Sequence, residues 1–115
     1  MMDQTPCQDN AIDIIKLNEA FMGDLSIIRQ ILSAFQETVA NFQQDFKNLV
    51  EADDAEQLSR LAHGLKGSAA NIRAEKVARQ AAHVQMLIDQ DQNYSTEAQE
   101  LFVLLSQLND KINSI

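Results

Sequence analysis

Eight apolar residues, Leu25, Ile28, Leu32, Phe35, Val39, Phe42, Phe46 and Leu49, follow one another at alternating spacings of three and four. Such a series lies along one face of an α-helix, whereas the side chains of a strand alternate between two faces. It predicts a single helix of about seven turns, about 40 Å long, which must bury its stripe against other helices. Ile27, Ile31 and Ala34 widen the stripe near its start. The same alternation would suit the seam of a coiled-coil dimer, but the segments that follow have apolar faces of their own to cover, and packing within the chain satisfies both.

Before the long helix, residues 1–10 are polar, contain the only proline and show no periodicity, so they read as a tail or the remnant of a linker. Residues 11–21 place Ile14, Leu17 and Phe21 at helical spacing, with Ala11 and Ile15 beside them, enough for a short helix that caps one end of a bundle. Gly23 ends it, and Asp24 stands where the N-cap of the long helix belongs. After that helix, Asp53 with Glu56 or Asp54 with Gln57 has capping-box spacing. The next helix reaches about Ile72, with Leu58, Leu61, Ala62, Leu65, Ala69 and Ile72 inward. A further helix over 74–91 turns Val77, Ala81, Val84, Leu87 and Ile88 inward, with Ala78 and Ala82 on a flank that admits a close neighbour. Thr96 with Gln99 reads as the capping box of the last helix, striped by Ala98, Leu101, Leu104, Leu105, Leu108, Ile112 and Ile115. The expected fold is all-α, an up-down four-helix bundle with a short additional N-terminal helix, forming one domain over residues 11–115.

Composition narrows the chemistry. One proline, three glycines and no tryptophan among 115 residues favour helices over glycine-rich sheet turns. The formal net charge of -8 argues against nucleic acid or direct contact with an anionic membrane, since both repel an acidic chain that lacks a concentrated basic patch. Cys7 is the only cysteine, so no internal disulfide forms and a reducing cytoplasm fits best. No run of 18 apolar residues and no basic-then-apolar start suggests a membrane span or a signal peptide. His83 projects outward without a ligand cluster around it, so it reads as a surface residue and no metal site is expected.

One stretch departs from ordinary bundle sequence: Leu61-Ala62-His63-Gly64-Leu65-Lys66-Gly67-Ser68-Ala69-Ala70-Asn71-Ile72. Each glycine inside a helix costs about 1 kcal/mol relative to alanine, yet two lie within a turn of one histidine. Projected at 100° per residue, His63, Gly67 and Arg60 fall well away from the apolar face, so His63 faces solvent. Gly67, at i+4, leaves the space beside the imidazole clear, and Lys66, at i+3, can bring a positive charge to an anionic group there. A free ring nitrogen, a nearby cation and a cleared approach are what nucleophilic attack on a phosphoryl group requires.

These residues resemble the phosphorylation motif of the histidine phosphotransfer (HPt) domains of bacterial phosphorelays, part of two-component signalling, and Phe21-Met22-Gly23-Asp24 resembles that family's opening turn. The resemblance covers nearly the whole chain. It implies that His63 accepts a phosphoryl group at Nε2 from a receiver-domain aspartate and passes it to another, that Lys66 neutralises phosphoryl oxygens and that Gly67 provides clearance. It also implies that Gln85, on the adjacent helix, bonds the other ring nitrogen and fixes the tautomer. The implied partners are receiver domains of a hybrid sensor kinase and of a response regulator. The chain needs no cofactor of its own, magnesium belonging to the partner receiver. Nothing resembles a nucleotide-binding loop, so the chain alone is not expected to use ATP. A receiver is expected to dock around His63 on Gly64, Lys66, Gly67 and Ala70, and on Met22 and Ile27 near the start of the long helix.

Two positions depart from the family pattern. Gly64 replaces a common Thr or Ser and loosens the helix beside the nucleophile, while Arg73 replaces a frequent glycine at the following turn, where a left-handed conformation would cost arginine about 1 kcal/mol. A helical module that binds receivers without relaying phosphate is the alternative, against which the intact His63, Lys66 and Gly67 count. The phosphorylated hairpin of a histidine kinase is a third reading. It would make a tight dimer and usually carries an acid after the histidine, whereas Gly64 stands here and a monomer is expected. The doubled Met1-Met2 and the linker-like lead favour a module excised from a hybrid kinase of the inner membrane over a free-standing carrier.

Overall fold

The computed structural model describes residues 19–114. Most of the expected N-terminal helix and all of the expected tail lie outside these residues, as does Ile115. Within them are four helices and no strand: α1 (Leu25–Glu51), α2 (Ala55–Asn71), α3 (Glu75–Asp89) and α4 (Ser95–Asn113). Each helix packs on its two neighbours in the order α1, α2, α3, α4 and back to α1, the up-down arrangement that short loops impose.

The stripe of α1 is buried from Ile28 to Phe46. Its two ends differ from expectation: Leu25 is 50% exposed, because it stands at the open end of α1 one turn before the packing begins, and Leu49 is half-buried. The opposing faces supply Leu58, Leu65 and Ile72 from α2 and its end, Val77, Val84 and Ile88 from α3, and Leu101, Leu105 and Leu108 from α4. No polar or charged side chain is buried among the described residues, so the core is held by apolar burial alone. Phe42, Phe46, Phe102 and Tyr94 interlock near one end, with Phe46 edge-on to both Tyr94 and Phe102. Burial, and then the nearby Asp53 carboxylate, raises the Tyr94 hydroxyl pKa above its ordinary value of 10.0.

All three chain reversals use one device. Asp53, Arg73 and Asp91 take left-handed φ values of 56°, 63° and 54°. Each donates its N–H three residues back, and the next residue's N–H reaches five back: Asp54 to Leu49, Ala74 to Ala69, and Gln92 to Leu87. This is the paired bonding of a Schellman helix end, normally built on glycine. Arg73 therefore carries the strain expected of it, and so do two aspartates. The caps resolve the sequence's alternatives. The Asp24 carboxylate accepts from the N–H groups of Ser26 and Ile27, and Asp54 rather than Asp53 caps α2 through the Gln57 N–H. The Thr96–Gln99 box does not form, because Asn93 Oδ1 accepts from the Ser95 N–H at 2.9 Å and α4 begins two residues earlier, with Tyr94 at its N-cap position.

Candidate functional site

His63 lies near the middle of α2, on its solvent face, and is exposed together with Gly64, Lys66, Gly67 and Ala70. The helix is anchored on its other side by Leu58, Ala62, Leu65 and Ala69, all buried. That anchoring fixes the direction in which the ring projects, since the apolar positions and His63 are parts of one rigid 3.6-residue repeat. Because no polar side chain is buried among the described residues, neither His63 nor Lys66 serves the core. At both glycines an added Cβ would meet no atom within 4 Å, so packing inside the chain does not demand either of them.

The α2–α3 contact, the most extensive in the bundle, sets what lies behind the ring. The Ser59 hydroxyl donates to Asp89 Oδ1 at 2.5 Å, joining the two antiparallel helices at one level. One turn onward along α2 is His63, and one turn back along α3 is Gln85. Gln85 is half-buried, and among the described residues it makes no hydrogen bond with His63. Sequence reading missed the Ser59–Asp89 rung. Its signal is positional, since Ser59 precedes His63 by four and Asp89 follows Gln85 by four. Met86, 45% exposed beside Gln85, was likewise not singled out.

Met22 and Ile27 are exposed, at 94% and 43%, but the fold does not bring them to His63. With the α1–α2 reversal centred on Asp53, the residue of α1 level with His63 is about ten before it, near Gln43, and Ile27 lies about 24 Å farther along the axis. The physical reason is register: periodicity assigns a residue to a face but does not give its height relative to another helix. His83 is exposed on α3. Among the described residues no group of three His, Cys, Asp or Glu is placed to hold a metal ion, and no helix is long and apolar enough to cross a membrane.

The arrangement is a solvent-facing imidazole with a cation at i+3, bare backbone at i+4 and an amide level with it on the next helix. It can offer a ring nitrogen to an incoming electrophile and hold an anionic product beside an ammonium group. A family model described as the Hpt domain matches residues 30–114, which takes in α2, α3 and α4 entirely and most of α1. No curated protein and no solved structure matches the chain.

Proposed function

The chain belongs to the Hpt domain family, and from that premise we propose that His63 is the phosphorylated residue of a relay between two receiver domains. Hpt domains carry out histidine phosphotransfer in phosphorelays and interact with the receiver domains of phosphorelay proteins. Here the His63 Nε2 lone pair attacks the phosphorus of a receiver's aspartyl phosphate. An N–P bond forms, the P–O bond to the aspartate breaks, and its electron pair returns to the carboxylate, while Nδ1 keeps its proton. The same steps in reverse order load the next receiver. Magnesium on the receiver offsets charge on the aspartyl side, and Lys66 offsets it on the histidine side.

The observation that carries this reading is the Ser59–Asp89 bond, which makes Gln85 level with His63 across the α2–α3 seam. The Gln85 carbonyl accepts from Nδ1–H once the amide turns inward, and so keeps the lone pair on Nε2. Gly67 admits the receiver's acidic loop beside the ring, and Ala70 keeps the adjoining surface low. The domain works as a monomer in the cytoplasm, without a nucleotide or metal of its own.

The test is transfer from receiver domains labelled through a small-molecule phosphodonor. Wild-type protein acquires acid-labile phosphate, and His63→Gln acquires none. Labelling of the variant at another residue would overturn the assignment.

A further inference from the structure

Gly64 is left unexplained by phosphotransfer, since clearance beside the ring belongs to Gly67. No internal contact asks for glycine at this position: an added Cβ would meet nothing within 4 Å, and the residue sits in ordinary helix. Glycine there only weakens α2 relative to alanine. What Gly64 does line is an open groove between α1 and α2 that encloses about 310 Å³. Buried Phe42 and Leu65 and half-buried Leu61 give it an apolar lining, which Thr38 and Asn41 of α1 and Ser68 of α2 complete with uncharged polar groups. Its two ionisable members, Asp45 and Arg60, carry opposite charges, so the groove has no net sign and suits an uncharged, apolar occupant.

We propose that this groove is a specificity notch, filled by one apolar side chain of the receiver domain that docks on His63, and that Gly64 is its open gate. The inference rests on the relay reading of His63. Continuity with that surface identifies the occupant. Gly64 adjoins His63 in the chain, and Ser68 and Arg60 lie about a turn to either side, so a receiver centred on His63 covers the groove. The notch therefore selects among receivers by the side chain each presents at this point, while the chemistry at His63 is common to all of them.

The experiment uses a panel of receiver domains phosphorylated by acetyl phosphate and takes the one that transfers fastest to wild-type protein. Against it, Gly64→Leu raises KM at least tenfold, more than it lowers kcat, while the thermal midpoint does not fall. Thr38→Met, which fills the groove from the α1 wall, does the same and serves if the leucine variant folds poorly. In a titration of labelled wild-type protein, the methyl signals of Thr38, Leu61 and Leu65 shift on receiver binding. Wild-type KM in both variants would overturn the notch, as would a wild-type dimer that Gly64→Leu dissociates, which would make a second copy the occupant. His63→Gln separates the two claims: if it abolishes transfer while the groove variants bind normally, only the notch fails. If no receiver in the panel transfers to wild-type protein, or if His63→Gln still transfers, the relay reading fails and the notch with it.

Discussion

At one end of the bundle four rings interlock, Phe46 reaching Phe42, Tyr94 and Phe102 at centroid distances of 5.5, 6.1 and 5.4 Å. Midway along α2, on the C-terminal side of His63, the exposed surface is glycine, alanine and one lysine, with Arg60 a turn before the ring. The first region spends large side chains on one another, and of its four rings Phe42 alone also lines the groove beside Gly64. The second gives up internal contacts and helix propensity to leave a ring approachable. Stability and reactivity are thereby assigned largely to different residues of the same short domain, with Phe42 shared between the ring cluster and the groove beside Gly64.

The largest effect that would sharpen this division is Phe46→Ala. Phe46 is 5% exposed and touches three rings, so its loss destabilises the fold by about 3–5 kcal/mol, read by urea denaturation. Phosphotransfer by the fraction still folded is unchanged. A loss of transfer beyond the unfolded fraction would break the comparison by tying the rings to the site. Lys66→Ala tests the other side. Removal of a charge-stabilising donor slows transfer by about a hundredfold, measured under single-turnover conditions, with stability within about 0.5 kcal/mol of wild type because the lysine is exposed. A destabilised Lys66→Ala protein would show that the strip also holds the fold together.

The core stripe was legible from sequence because four helices with regular spacing leave few ways to bury it, and Ile28 to Phe46 lie where their periodicity put them. The candidate site was legible for the same reason: His63, Gly67 and Ala70 are exposed because Ala62, Leu65 and Ala69 are not. What periodicity does not encode is axial register. Met22 and Ile27 were assigned to the neighbourhood of His63 from their exposure, yet the α1–α2 reversal holds them well up the bundle. The Ser59–Asp89 bond, which makes Gln85 level with His63, is equally a register feature. The start of α4 was also invisible, since Thr96 has capping-box spacing and yet the helix begins at Ser95, after a turn closed by the Asn93 side chain.

The smallest expected effect concerns Arg73, whose φ of 63° favours glycine. Arg73→Gly relieves about 1 kcal/mol of left-handed strain, and the extra freedom glycine gives the unfolded chain offsets part of that gain. The net stabilisation is below about 1 kcal/mol, seen as a small rise in denaturation midpoint. Because Arg73 lies about 15 Å along the axis from His63, transfer is unaffected, and a change in transfer would extend the working strip to the end of α2.

The three matching reversals at Asp53, Arg73 and Asp91 also bear on how fast this fold forms. Each joins helices adjacent in the chain, so most of the bundle is assembled from hairpins whose members meet without closing a long loop. Only the seam between α1 and α4 spans the whole sequence, and it is the least extensive of the four helix contacts. A chain so rich in local contacts belongs with the helical proteins that fold in about microseconds to milliseconds. The aromatic residues Phe42 and Phe46 against Phe102 then close the last seam of a bundle whose hairpins the α2–α3 contact has already joined.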